Sequence, residues 1–381
     1  MMFLKMPRFK KYQLRLISVC FSAFLFMAYW EKIENNIVSH IMSFSYRHLL
    51  NRFTFINASL RVNPEDALKY RYLINNERKC AEKDVLLLLF VKSSSENFER
   101  RQAIRSTWGN ETYIEKTLGV TVRVLFALGL HPKPEYRSQL KKELFFEDHR
   151  YHDLIQQDFK DTFHNLTLKL LLQLGWKENY CHHSQFLMSA DDDVFVHIPN
   201  LIRYLQGVGH RNAKDFWIGR VHRGSPPVRD KESKYYVSRD MYPWVSYPDY
   251  TAGSGYVLSR DVATRIYQAS LTLNASFHID DVFLGICAKV MNISPKDHLF
   301  FSGEGKAPFH SCIYNQMMTS HGHVSDIRET WKRVTEAEVG NVSSGLIRRL
   351  YCSVMKVRLL CVPFISNSYP CKAAFFEHDN K

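Results

Sequence analysis

Phe186-Leu187-Met188-Ser189-Ala190-Asp191-Asp192-Asp193-Val194-Phe195-Val196 decides the fold. An apolar run of strand length meets three consecutive carboxylates and then resumes. Short continuous apolar runs suit strands buried on both faces of a parallel sheet. Unpaired charge is costly to bury, so the acids belong where the strand emerges. Open α/β sheets bind ligands at the carboxyl ends of their strands. Carboxylate oxygens there suit a hard divalent cation, Mg²⁺ or Mn²⁺, which in turn would hold a diphosphate. An acidic loop capping the following helix is the plainer alternative, and these residues taken alone leave both open.

Working outward, the neighbouring segments alternate. Asp84 opens the folded part, and Val85 to Val91 predicts the first buried strand. Val122 to Leu128 and Asp153 to Phe159 predict strands, and Tyr136 to Phe146 and Leu166 to Trp176 predict helices. Pro199 to Gly207 predicts another helix and Phe216 to Gly219 another strand. This β-α alternation implies an α/β fold, a mostly parallel sheet with helices on both faces. The absence of G-x-G-x-x-G and G-x-x-x-x-G-K counts against dinucleotide enzymes and P-loop NTPases.

Four further stretches carry candidate chemistry. Arg101 and Arg105, in Glu99 to Gly109, are four apart and share a helix face. They are either a cationic clamp for a phosphate or nucleotide, or a solvated face. The segments Lys234 to Ser238 and Tyr247 to Tyr256 are dense in Tyr and Gly. Aromatic faces there, with Trp217, Trp244 and Tyr250 as candidates, would pack sugar rings, and glycines let backbone approach a ligand. A hairpin with core tyrosines is the alternative. In Ile279 to Gly285, Asp280 and Asp281 open a helix. They are helix caps, or one of them is a general base. His310, His321 and His323 cluster later, and an imidazole among them could complete a Mn²⁺ shell.

The chain has 381 residues, enough for one large domain or two small ones, and a formal charge of +13. Lys5, Arg8, Lys10, Lys11 and Arg15 lie beside the apolar stretch Leu14 to Trp30; the remaining charge is interleaved with acids. No nucleic-acid motif accompanies it, so nucleic acid is not an expected partner. The apolar stretch is near the short limit for a membrane span, and the basic cluster leaves residues 1–13 cytosolic. No small-x-small site follows it, which implies an uncleaved signal anchor in the secretory pathway with a lumenal body. Sequons at Asn57, Asn110, Asn165, Asn274 and Asn341 agree; one at Asn292 is trailed by Pro295. Of eight cysteines, Cys20 lies in the span and seven are lumenal, so one is left over from pairing. Residues 31–80 are expected to form a stem, 81–340 the catalytic domain and 341–381 a cysteine-containing extension.

Five blocks occur in one order: Arg100-Arg101-Gln102-Ala103-Ile104-Arg105-Ser106-Thr107-Trp108-Gly109, Asp191 to Val196, Lys234 to Ser238, Tyr247 to Tyr256, and Asp280-Asp281-Val282-Phe283-Leu284-Gly285. Together they resemble the beta-1,3-glycosyltransferase family of the Golgi over about residues 84–332. The similarity extends into Tyr70 to Asn75 and the cysteine-bearing tail, as in the branch that uses lactosylceramide. The resemblance implies a GT-A fold, Mn²⁺ with Mg²⁺ as substitute, and UDP-N-acetylglucosamine as donor. It implies lactosylceramide, a membrane-borne glycolipid, as acceptor, and a single-pass type II protein of the Golgi membrane, with room for a homodimer. It makes Asp193 the direct metal ligand, with Asp191 and Asp192 supporting, and His321 a distal ligand. It assigns Asp281 as the base, gives Arg101 or Arg105 to the nucleotide, and leaves Trp217 and Tyr250 for the sugars. A beta-1,3-galactosyltransferase and a poly-lactosamine enzyme share these features. A membrane-anchored Ca²⁺-dependent lectin would also use Asp191 to Asp193, but with no UDP affinity.

Overall fold

The chain enters its domain through β1 (Tyr72–Ile74) and a short 3-10 turn, Glu77–Cys80. There follow β2 (Val85–Lys92), α1 (Phe98–Arg105), α2 (Glu111–Leu118), β3 (Thr121–Leu130), α3 (Pro134–Tyr151), β4 (Leu154–Lys160), α4 (Leu166–Tyr180) and β5 (Phe186–Asp191). After the acid triplet come β6 (Val194–Val196), α5 (Ile198–Gly209), β7 (Trp217–His222), β8 (Tyr250–Ser259), α6 (Arg260–Ser270) and α7 (Asp280–Val290). The last elements are β9 (Lys296–Asp297), α8 (Ser311–Tyr314), β10 (Thr319–His321) and α9 (Ile327–Thr335).

This computed structural model describes residues 70–335, with breaks at 82–83, 210–212, 274–276, 299, 303–309, 315 and 322–326, and scattered positions within 12–22 and 351–355. Most of the expected span, and Asn57, Asn274, Asn341, His323, Cys361 and Cys371, lie outside the described residues. Among the described residues no helix is long and apolar enough to cross a membrane.

One sheet organises the domain, in the order β1-β4-β3-β2-β5-β8-β7-β9. Its centre, β4-β3-β2-β5, is parallel. β8 runs antiparallel to both β5 and β7. The fold is therefore mixed α/β with a large, mostly parallel sheet. β6 and β10 form a separate antiparallel ribbon.

Every residue of β2 is buried, which is why its run is continuously apolar. Its side chains alternate between two cores. Leu87, Leu89 and Val91 pack with Ile104, Trp108 and Leu201 on one face. Val85, Leu88 and Phe90 pack with Leu170, Trp176 and Phe283 on the other. Each such side chain contributes about 1.5–3 kcal/mol of burial, so the sheet centre holds its strand ends firmly in register. That register positions the acids.

Several elements were not anticipated, α6 and the short β9, α8 and β10 among them, and two of the others bear on the domain boundary and its first turns. Residues 70–80, expected in the stem, belong to the domain: β1 pairs with β4, and Cys80 is disulfide-bonded to Cys181 at the end of α4. Helix α2 has too few turns to show an apolar period, but its signals are local. Asn110 Oδ1 accepts the Tyr113 N–H at its start, and Gly119 closes it at φ 66°. A second disulfide joins Cys312 and Cys352, while Cys20 and Cys287 are free among the described residues. At the Asn165 sequon, Asn165 Nδ2 donates to the Lys160 carbonyl at 2.8 Å, and Thr167 is buried with its hydroxyl on the Phe277 carbonyl.

Candidate active site

Parallel pairing of β2 with β5 sets Lys92 opposite Asp191 where both strands end. The Lys92 ammonium lies 3.0 Å from Asp191 Oδ1 and 3.1 Å from Asp280 Oδ2. It also donates to the Gly253 carbonyl at 3.0 Å. One buried cation thus joins the acid triplet to the acid pair that opens α7. Burial opposes its charge, but Asp191 and Asp280 hold its pKa well above the ordinary lysine value. Burial likewise raises the Asp191 carboxyl, against the pull of Lys92. Nothing in the sequence analysis singled out Lys92; the available signal was a lysine closing an apolar strand.

Helix α7 sits hard against the start of β8. A Cβ on Gly285 would lie 2.7 Å from Tyr250 Cβ, so only glycine allows this approach. The docking brings Asp281 to Gly253. Asp281 Oδ2 accepts the Gly253 N–H at 3.2 Å, and Oδ1 accepts the Val282 N–H at 2.7 Å. Burial first, and the neighbouring Asp280 second, push the Asp281 carboxyl up to about 7, while Lys92 and the two N–H groups pull the other way. A carboxyl poised near neutrality has the proton affinity a general base requires.

The triplet divides its labour. Asp192 points into the protein and accepts from Ser93 Oγ, Asn97 Nδ2 and Arg100 Nη1, each at 2.8 Å. These bonds fasten it to the loop after β2 and to the first turn of α1. Asp193 Oδ1 lies 3.3 Å from His321 Nε2, and this oxygen is buried and otherwise without a hydrogen-bond partner. The β6/β10 ribbon makes the meeting possible, because it sets His321 opposite Val194. Burial raises the Asp193 carboxyl, but His321 and Arg100 outweigh it and leave the group below its ordinary range.

Among the described residues no group of three or more His, Cys, Asp or Glu converges as a metal cluster. Asp193 and His321 still fit a divalent cation with an open shell: one carboxylate oxygen lacking a partner, one imidazole nitrogen, and remaining positions for diphosphate or water oxygens. His310 is engaged with Tyr351, 3.3 Å away.

Three expectations are corrected. Arg101 and Arg105 do share a helix face, but it is turned inward. Arg101 is fully buried, with Nε and Nη2 on Glu147 at 2.7 and 2.8 Å and Nη1 on the Ser94 carbonyl. Arg105 binds Asp153 and Glu147 at 2.7 and 2.6 Å, and its guanidinium covers the Phe126 and Tyr151 rings. Both are thus committed to the protein, and neither forms the expected nucleotide clamp. Trp217 is fully buried and donates to Thr251 Oγ1 at 3.1 Å, so its ring is not open to a sugar. Tyr250 keeps its candidacy. It is partly exposed, stacks on His222 at 5.0 Å and lies against Gly285 of α7. Trp244 is partly buried against Tyr242.

The buried arginine network makes a stability prediction. Glu147→Ala strips two buried guanidiniums of their shared carboxylate, and about 3–5 kcal/mol of stability should be lost in a denaturant titration. A loss under about 1 kcal/mol, the size of a surface pair, would mean that solvent reaches the network.

The sequence model of the Galactosyltransferase family matches residues 99–298, which includes both acid sites. Lactosylceramide 1,3-N-acetyl-beta-D-glucosaminyltransferase B of Danio rerio is 77% identical over 378 residues, covering 99% of this chain and 99% of its own. The Homo sapiens lactosylceramide 1,3-N-acetyl-beta-D-glucosaminyltransferase is 54% identical, covering 97% of this chain and 98% of its own. A solved mouse xyloside xylosyltransferase 1 aligns at a TM-score of 0.27 and 12% identity, over 56% of this chain and 85% of that one, too slight a likeness to bear on the fold. With the family's region covering both acid sites and such identity along nearly the whole length, the chain belongs to the Galactosyltransferase family.

Proposed function

We propose that this chain transfers N-acetylglucosamine from UDP-N-acetylglucosamine to the 3-hydroxyl of the terminal galactose of lactosylceramide, with inversion at the anomeric carbon. One observation carries the chemistry: Lys92 draws Asp191 and Asp280 onto a single ammonium, so the acid triplet and the acid pair that holds the base candidate meet at one buried lysine. The transferred sugar and the acceptor follow the names of the full-length relatives, and UDP as the carrier follows the family resemblance.

Asp281 takes the proton of the acceptor hydroxyl as its oxygen attacks the anomeric carbon. The bond to the diphosphate breaks on the opposite side, and its electron pair leaves with UDP. No second carboxylic acid has to protonate that leaving group, unlike a glycosidase, where two carboxyls flank the bond. Mn²⁺ or Mg²⁺ held by Asp193 and His321 would supply Lewis-acid stabilisation of the diphosphate charge. Tyr250, stacked on His222, offers a partly exposed face to a sugar ring. The sheet serves as a GT-A nucleotide-sugar domain. The apolar stretch from Leu14 to Trp30 anchors it in the Golgi membrane with the body lumenal, so enzyme and glycolipid meet in two dimensions at raised effective concentration.

The test is the full chain in detergent with lactosylceramide, Mn²⁺ and either UDP-N-acetylglucosamine or UDP-galactose, with the product weighed by mass spectrometry. A chelator-sensitive gain of one N-acetylhexosamine is expected. A gain of one hexose would move the chain to galactose transfer, and no gain from either donor would overturn the proposal.

A further inference from the structure

We infer that Lys92 is the positioning residue of the base: it grips the two neighbours of Asp281, the Asp280 carboxylate and the Gly253 backbone, and ties them to the acid triplet through Asp191. The inference deepens the proposed transfer reaction and rests on it. An ammonium has three N–H donors, and Lys92 meets three acceptors: Asp191 Oδ1, Asp280 Oδ2 and the Gly253 carbonyl. Its side chain is only 7% exposed, so water cannot take over these bonds. Lys92 makes no hydrogen bond to Asp281 itself. It holds the side chain one residue before the base, and the residue whose N–H binds the base. A Cβ on Gly253 would lie 3.5 Å from Lys92 Nζ and 3.6 Å from Asp281 Oδ2, which shows how closely the groups surround that backbone.

Removing the ammonium leaves Asp191 and Asp280 as buried carboxylates without their cation. Their repulsion would pull β5 and α7 apart at the crevice, and displacement of a reacting group by about 1 Å can cost about 10²-fold in rate. The charge around Asp281 would also change. The groups that face it are Asp280 on α7, Lys92 on β2, Tyr256 on β8, Tyr247 just before β8, and the Gly253 and Val282 N–H groups. Without Lys92 the remaining anion dominates, and the base holds its proton to higher pH.

The experiment compares wild type, Lys92→Met, Asp280→Asn and the double variant, all as full chains. It follows kcat and kcat/KM for UDP-N-acetylglucosamine transfer across pH, with thermal unfolding in parallel. Lys92→Met should lose about 10²-fold in kcat, more than it changes the donor KM, and its acid limb should move up by about one pH unit. Asp280→Asn should move the limb down, because the neighbouring anion is gone. The double variant should regain about tenfold over Lys92→Met, as coupled neighbours do. A wild-type pH profile in Lys92→Met, or an unmoved limb in Asp280→Asn, would overturn the inference. If Lys92→Met does not fold, Lys92→Arg decides: its guanidinium keeps the charge but not the three-way geometry of the ammonium, so a loss in kcat with a nearly unmoved limb is expected, and a wild-type kcat would overturn the inference. If wild type transfers neither sugar, the transfer reaction is what fails. The unfolding temperatures still read the bridge, since additive losses in the double variant would overturn it and recovery would uphold it.

Discussion

Asp281→Asn is expected to lower kcat by about 10²–10⁴-fold, the span usual for loss of a general base, while UDP binding persists. The amide keeps the shape of the carboxylate and can still accept the Val282 N–H, so the start of α7 should stay formed. What it cannot do is take a proton at neutral pH. The wild-type carboxyl, raised to about 7 by burial and Asp280, has to be ionised to act. Activity should therefore rise with pH through that region and be mostly lost about one unit below it, where about a tenth of the base is ionised. Turnover measured by product mass, and UDP affinity by calorimetry, separate the roles. Loss of UDP affinity in Asp281→Asn would make this residue part of the donor site instead.

Asp193→Ala should act on the other substrate. It removes the one buried carboxylate oxygen of the triplet that has no hydrogen-bond partner, the atom that faces His321. Several kcal/mol of transition-state stabilisation from a bound cation correspond to a loss of about 10³-fold in kcat/KM, and Mn²⁺ should no longer strengthen UDP binding. Calorimetry of UDP with and without Mn²⁺ checks this. Unchanged Mn²⁺-dependent affinity in the variant would place the cation elsewhere.

The sequence showed what strand burial and interrupted apolar runs can show. β2 and β5 were legible because both faces of each are buried, which removes any alternation. The acid sites were legible for the same reason, since charge inside an apolar run stands out. The partners of those charges were not. Lys92 meets Asp191 because β2 and β5 are adjacent, and meets Asp280 because α7 packs on β8. Neither fact is local in sequence. Arg101 and Arg105 were placed on one helix face correctly, but the acceptor that claims both, Glu147, sits on a helix beyond the next strand. Trp217 was misjudged because an indole on a strand reads alike whether it faces a ligand or the core. β1 has three residues, too few to carry a period, and its place is set by pairing with β4.

The most direct measurement is the configuration and position of the new glycosidic bond, by nuclear magnetic resonance of the product formed from UDP-N-acetylglucosamine and lactosylceramide. In-line displacement with Asp281 as the single base requires inversion, so a β-linked N-acetylglucosamine on the 3-oxygen of galactose is expected. An α-linked product would contradict a one-step displacement, and a linkage to another hydroxyl would contradict the proposed acceptor geometry.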